Sequence, residues 1–280
     1  MMITLSSKKR TRNLISYIKT PSFLLAILFE LGLNIRYRDI EMLRLLIKDC
    51  NYYINKSLLR KLLAGKPTII LLDNALFYIE DLEDLYHSTL CYEKDTLKLA
   101  KRLLSPGGVF VDVGANIGGY TIRLASKARR VYSFEPHPRN FRLLKYNLKL
   151  NNLYSKVYAY RYAVSQKKGK VLLTLSEFHG RHSIVELRSR YIEVPSITLD
   201  DILYSEDNID VIKIDVEGAE PLVLLGAKNT LTKTKYVIIE TTFPVLRDFS
   251  HKILKKLGFQ YLGKTDKTNS IYYNTKLLQK

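Results

Sequence analysis

The sequence predicts an α/β protein: a mostly parallel sheet covered by helices, closed by an antiparallel C-terminal hairpin and preceded by a helical cap. Three observations carry this. Short apolar runs at 109–113, 130–134, 158–164, 210–215 and 236–240 alternate with segments of helical periodicity, the pattern of strands buried on both faces. A glycine turn, Gly114-Ala-Asn-Ile-Gly-Gly119, joins the first run to a helix starting near Tyr120. Near the C-terminus, Gly258-Phe-Gln-Tyr-Leu262 and Ser270-Ile-Tyr-Tyr-Asn274 are spaced to pair as a hairpin.

In chain order, residues 22–64 read as helices, with Leu43, Leu46, Ile47 and then Leu58, Leu59, Leu62, Leu63 at helical spacing. Gly65-Lys-Pro67 breaks that pattern before a short strand at Thr68–Leu72. Residues 1–88 thus form a mostly helical accessory region without a chemical motif, and residues 89–280 form the domain that carries the chemistry. A helix over 93–104 stops at Ser105-Pro-Gly-Gly108. Lys170–Thr174 and Tyr191–Val194 read as extra strands around a polar loop, and 250–257 as a helix before the hairpin.

Hydrophobic residues make up 46% of the chain and charged residues 26%, a globular composition. Cys50 and Cys91 are the only cysteines; without CxxC spacing they argue against a zinc site or disulfide framework and suit a reducing compartment. The net charge of +18 is regional. Residues 123–190 carry sixteen basic side chains against three acidic ones, a net +13, and residues 1–72 carry a net +9. Such regions attract anions, including nucleic acid, acidic glycans or an anionic membrane face. Arg139, Arg142, Lys145 and Lys149, however, recur at helical spacing opposite Leu144 and Leu148, as on a solvated face. Lys8–Arg12 precedes the apolar stretch Phe23–Leu33, which is too short to span the roughly twenty residues of a bilayer and is interrupted by Glu30. It reads as a buried helix, with an interfacial helix as the alternative. The expected location is cytoplasmic, with peripheral membrane association through the N-terminal region as the alternative.

The chemistry begins at Asp112, two residues before Gly114. An acid there would repel a pyrophosphate and suits a cationic ligand bearing an amino group, such as S-adenosyl-L-methionine. In that reading Gly114 and Gly118 allow close backbone approach, and N–H groups at the following helix start bind the methionine carboxylate. Asn116 adds a side-chain hydrogen bond, and Asp112 takes the amino group. Glu135, closing Ser133-Phe-Glu135 about twenty residues on, accepts from both ribose hydroxyls. A backbone N–H around Ala163-Val-Ser165 meets the adenine.

A second constellation, Asp210-Val-Ile-Lys-Ile-Asp-Val-Glu-Gly-Ala-Glu220, places Asp215 and Glu217 at the carboxyl end of the fourth strand, across the switch point where open α/β sheets bind ligands. These carboxylates can deprotonate a hydroxyl or coordinate a divalent cation. Lys213 reads as a local partner, Glu220 as a first-turn dipole partner, and Glu240 as a third wall of the pocket. His179-Gly-Arg-His-Ser183 offers His182 as an acceptor-positioning group or base.

Val111-Asp-Val-Gly-Ala-Asn-Ile-Gly118, Phe134-Glu-Pro136, Val194–Ile202 and Ile212-Lys-Ile-Asp-Val-Glu-Gly-Ala-Glu220 together resemble the FkbM family of S-adenosylmethionine-dependent methyltransferases. The resemblance runs from about Leu97 to Glu240. It implies a Rossmann-like class I methyltransferase fold and O-methylation of hydroxyls, often on sugars or glycosylated products. The His179–Ser183 loop departs from the small, serine-rich loop of the family pattern. The acceptor expected is therefore a hydroxyl of a glycan or glycosylated small molecule, with Asp215, Glu217 and His182 as catalytic candidates. Two alternatives stay open: an RNA ribose 2′-O-methyltransferase using the basic region, and a non-catalytic binding subunit that keeps the fold.

Overall fold

The computed structural model describes residues 3–4, 42, 61–62, 64–178, 180–185, 190–241, 243–266 and 268–278. The chain divides into two compact units, Met1–Tyr92 and Glu93–Lys280. The helices expected between 22 and 60, the basic Lys8–Arg12 segment and the apolar Phe23–Leu33 stretch lie outside the described residues. Among those described, no helix is long and apolar enough to cross a membrane.

In the first unit, β1 (Ile3–Thr4) pairs in parallel with β2 (Thr68–Leu72), and β2 turns back into β3 (Ala75–Ile79). Asp73 and Asn74 make the turn at φ of 49° and 64°, the left-handed pair that a two-residue hairpin needs. Helix α1 (Leu82–Thr89) follows, its first turn capped by Asp81, which accepts from the Asp84 N–H at 2.9 Å. Cys91 is disulfide-bonded, which corrects the reading of two isolated thiols; wide spacing in sequence does not forbid a pair.

The second unit opens with α2 (Lys94–Leu103), then β4 (Val109–Val113), α3 (Gly119–Ala125), β5 (Arg130–Phe134), α4 (Pro138–Leu150) and β6 (Val157–Tyr160). Next come β7 (Ala163–Val164), β8 (Gly169–Thr174), β9 (Tyr191–Ile197) and the short α5 (Leu199–Ile202). The chain returns through β10 (Ile209–Ile214), α6 (Glu220–Leu225), α7 (Lys228–Thr232), β11 (Thr234–Glu240) and α8 (Pro244–Leu257) to the hairpin β12 (Phe259–Thr265) and β13 (Asn269–Asn274).

The main sheet has the order β12-β13-β11-β10-β4-β5-β6, parallel except where β13 pairs antiparallel with β11 and β12. The fold is the expected mostly parallel sheet with an antiparallel C-terminal hairpin. Every residue of β4 and of β10 is buried, as strands covered on both faces require. Three charged residues interrupt that apolar pair: Asp210 near the start of β10, and Asp112 and Lys213, which sit opposite one another in register. The direction of the chain reverses between β4 and β10, so the carboxyl ends of β5, β4, β10 and β11 stand in a row beside the switch point.

The run read as one strand over 158–164 is two. β6 ends at Tyr160, and β7 belongs to a separate three-stranded sheet of order β7-β9-β8, where Ala163 pairs with Ser196. The break follows from pairing: β6 stays with β5, whereas Ala163 and Val164 find their partner in β9.

Candidate active site

The glycine turn is held by its neighbours before any ligand is considered. Gly114 has φ of 89°, and a Cβ there would lie 1.7 Å from the Asp215 carbonyl oxygen. Gly118 has φ of 96°, and a Cβ would come within 2.8 Å of Leu144 Cδ1. Gly114 is therefore required by packing against the backbone that follows β10, whereas Gly118 faces only side-chain tips and is required by its positive φ, firmer reasons than the ligand approach inferred from sequence. The N–H groups of Gly114 and Ala115 both donate to the Phe134 carbonyl, locking the turn to the end of β5.

Glu135 lies beside this turn, 6% exposed. Its Oε2 accepts from the Asn116 N–H at 2.9 Å and its Oε1 from the His137 N–H at 2.8 Å. Burial nevertheless outweighs these bonds and pushes the carboxyl up to about 7. Asn116 adopts φ of 49°, and its side-chain oxygen is buried without a partner among the described residues.

Asp112 is placed differently from its expected role. It is 2% exposed, and its Oδ2 accepts from both the Thr121 N–H (3.1 Å) and the Thr121 hydroxyl (2.6 Å). Thr121 in turn shares a 2.7 Å hydrogen bond with Ser133. Burial raises the Asp112 carboxyl, opposed by Thr121 and by the Lys213 charge. The carboxylate thus ties α3 to the sheet and occupies a helix-start N–H that the sequence reading had assigned to a ligand. The Ser165 N–H, expected near the adenine, is taken by the Ile197 carbonyl at 2.9 Å.

At the end of β10 stands a buried charged cluster. Lys213, 2% exposed, donates to Asp215 Oδ2 at 2.8 Å and reaches Glu93 Oε1 at 3.5 Å. Glu93, Asp215 and Glu240 each offer a carboxylate oxygen, all within 4.8 Å of one another. Oxygen donors of this kind suit magnesium or calcium, although Lys213 competes for the same oxygens. Burial alone would discharge Lys213, but Asp215 and Glu93 hold its ammonium charged well above the ordinary lysine range. Burial, reinforced by the Asp215 and Glu93 charges, pushes Glu240 up to about 9. The Lys213 ammonium also lies 4.7 Å above the Tyr120 ring.

The polar loop folds over the same strand end. Ser183 donates its hydroxyl to the Glu217 carbonyl at 2.6 Å, and a Cβ on Gly218 would meet Val185 Cγ2 at 2.9 Å. Glu217 holds φ of 52° and is tied to the loop through its carbonyl oxygen. His182 accepts from the Ser176 N–H through Nδ1 at 3.1 Å, which places the proton of the neutral ring on Nε2. As placed it is a donor rather than a base. Its ring packs 4.1 Å from that of His137, the residue whose N–H holds Glu135. The loop therefore joins the Glu135 side to the Asp215 side. His179 lies outside the described residues.

Residues 112–261 match the methyltransferase FkbM domain. This chain belongs to the FkbM methyltransferase family. It is similar to the hexuronic acid methyltransferase AglP of Haloferax volcanii, with 30% identity over 171 residues, spanning 59% of this chain and 70% of that protein. It is also similar to the 2-O-methyltransferase NoeI of Sinorhizobium fredii, with 28% identity over 172 residues, spanning 52% of this chain and 69% of that protein. Among solved structures, methyltransferase FkbM from Methylobacillus flagellatus is 18% identical with a TM-score of 0.46, covering 90% of this chain and 59% of that one. The protein is a methyltransferase.

The sequence reading missed Tyr120 and His137 within the matched domain, and Glu93 before it. Glu93 carries no motif of its own, because a long separation and a strand crossover bring it to Lys213. Tyr120 reads as an ordinary first-turn residue. His137 follows Glu135-Pro136 directly, so its adjacency was the available signal. The basic residues of α4 fall where periodicity put them: Arg142, Lys145 and Lys149 are exposed while Leu144 and Leu148 are buried.

Proposed function

We propose that this chain is an S-adenosylmethionine-dependent O-methyltransferase whose acceptor is a hydroxyl of a sugar or glycosylated molecule. The observation that carries the reading is Glu135, a buried carboxylate fixed by two backbone N–H groups beside the glycine turn. Each of its oxygens keeps a second lone pair, so the pair can accept from a ribose diol without losing either backbone bond. The partnerless oxygen of Asn116 beside it supports a polar ligand at this place. When bound, S-adenosylmethionine supplies an electrophilic methyl group.

The chain's own residues orient the acceptor and move its proton. An alkyl hydroxyl is a poor nucleophile at neutral pH, so a base must take its proton as the new bond forms. Asp215 fills that role: Lys213 holds Oδ2, and Oδ1 faces the task without a donor among the described residues. Glu240, at the next strand end, is protonated at neutral pH and donates a hydrogen bond to the acceptor. Ser183 and Val185 cover the strand end and exclude water, while His182 and Glu217 position the acceptor. Relatives named for a hexuronic acid and for 2-O-methyl transfer support a sugar hydroxyl.

The test is transfer of radiolabelled methyl from S-adenosylmethionine into fractionated cell glycans, lipids and RNA. Label in the glycan or glycolipid fraction is expected. Label confined to RNA would favour ribose 2′-O-methylation instead, and label in none would support a non-catalytic subunit.

A further inference from the structure

The cluster at the end of β10 holds more carboxyl groups than the described residues balance. Glu93, Asp215 and Glu240 converge on Lys213, the one ammonium among the described residues there; with Glu240 kept protonated by burial, Glu93 and Asp215 face that single charge, and the other donors, Asn269 to Glu93 (2.9 Å) and Thr268 to Glu240 (2.8 Å), are neutral. Each carboxylate has one oxygen held this way. Glu93 Oε2, Asp215 Oδ1 and Glu240 Oε2 have no donor among the described residues. Glu93 itself precedes α2, where an acidic side chain often caps a helix, yet it makes no capping bond and runs instead to Lys213 and Asn269.

Tyr120 provides an observation independent of the carboxylates. It is 4% exposed, and its hydroxyl is buried without a partner among the described residues. The Lys213 ammonium lies 4.7 Å from its ring, which puts Tyr120 beside the cluster, and burial with the nearby acids keeps the phenol a neutral donor and acceptor. A buried hydroxyl without a partner beside surplus carboxylates points to a group that is not part of the chain.

The strand order says which group. Glu135, Gly114 and Asp215 follow one another along the sheet edge at the ends of β5, β4 and β10. With ribose at Glu135, the amino-acid end of the donor crosses the glycine turn toward Asp215. Asp112 has one oxygen, Oδ2, occupied by both Thr121 donors. We propose that Glu93, assisted by the Tyr120 hydroxyl, receives the ammonium group of the donor, an assignment that rests on the S-adenosylmethionine reading above. With Glu240 protonated, Lys213 leaves one carboxylate charge over, which the ammonium of that donor matches.

The assignment is tested by calorimetric titration of the full chain with two ligands. S-adenosylhomocysteine keeps the ammonium, and 5′-methylthioadenosine lacks the whole amino-acid end. Glu93→Gln should weaken S-adenosylhomocysteine roughly 10- to 100-fold and Tyr120→Phe about 3- to 10-fold, with methylthioadenosine unchanged within about twofold. Equal losses for both ligands, or no loss for either, would overturn the assignment. Binding that requires magnesium or manganese and vanishes on chelation would overturn it in favour of a metal site. A wild-type chain that binds neither ligand would overturn the donor reading along with it. If Glu93→Gln does not fold, Tyr120→Phe, which removes one oxygen, decides.

Discussion

Glu135→Gln tests the donor side with its own internal control, because the wild-type group titrates near neutrality. Burial raises this carboxyl to about 7 in the folded protein. Accepting from two ribose hydroxyls favours the ionised form, so donor affinity should climb as pH rises through 7. With a single group at about 7, roughly a tenth of the molecules are ionised at pH 6 and nine-tenths at pH 8. Wild-type affinity for S-adenosylhomocysteine should therefore fall about tenfold, or ~1.4 kcal/mol, between pH 8 and pH 6. Glutamine has no proton to exchange, so the variant should show a flat profile. Its deficit should be about 1.5–3 kcal/mol at pH 8 and smaller by ~1.4 kcal/mol at pH 6, where the wild type is itself mostly neutral. Folding responds with the opposite sign. A folded-state pKa raised above 4.5 contributes stability that is complete below that pH and is lost as pH rises through about 7. Glutamine also leaves one of the Asn116 and His137 N–H groups facing an amide N–H, at a cost of about 1–3 kcal/mol in stability. Calorimetry across pH 6–8, with denaturant melts beside it, separates the two effects. A wild-type affinity that does not change with pH, or a variant with the same slope, would refute the ribose assignment.

Asp215→Asn should keep S-adenosylhomocysteine affinity within a few-fold but lower turnover by about 10²–10⁴, the usual worth of a positioned base; wild-type turnover would remove Asp215 from that role. Gly114→Ala places a methyl 1.7 Å from the Asp215 carbonyl at a φ of 89°, so urea unfolding should show a loss of about 2–4 kcal/mol, and an unchanged midpoint would contradict the packing described. Glu206 is far from the site chemistry: Arg129 (2.8 Å), Arg130 (2.9 Å) and the Tyr132 hydroxyl (2.6 Å) all bind its carboxylate. Burial raises this carboxyl, but those partners outweigh it and hold it below the ordinary range, so its contribution is present above the unfolded pKa and lost as pH falls through the folded one. Glu206→Gln should thus destabilise at pH 7 but little at low pH, with turnover unaffected; equal destabilisation at both pH values would show that charge is not the cause.

The main sheet was legible because its strands obey a rule visible in one dimension. Val109–Val113 and Ile209–Ile214 are buried on both faces, and buried strands read as mostly apolar runs, here interrupted only by Asp112, Asp210 and Lys213. Glu135 was legible for the same reason, as a charge ending such a run. What escaped was what depends on partners distant in sequence. Ala163 and Val164 looked like a continuation of β6 until β9 claimed them. The return strand Ala75–Ile79 was missed because Asp73-Asn74 is a less familiar hairpin turn than Asn-Gly. Asp112 was correctly singled out as anomalous, yet its partner Thr121 has an unremarkable side chain nine residues on. Glu93 is the clearest case, since only the tertiary fold brings it to Lys213.

The Asp112–Lys213 register pair also bears on why charge is buried here at all. An ion pair inside a sheet is weak evidence for stability, because well-packed apolar residues of similar volume often do as well or better. Apart from Asp210 near the start of β10, β4 and β10 are otherwise apolar, and a valine or isoleucine at either position would continue the pattern. The two charges do more than face one another. Asp112 fixes the start of α3 through Thr121, and Lys213 fixes Asp215 and approaches Glu93 before α2. One row of the sheet thus sets the positions of three segments that converge beside the glycine turn. Such a network holds carboxylates in fixed places while leaving one oxygen of each without a donor among the described residues. An apolar row could support the same fold, but it could not orient those oxygens.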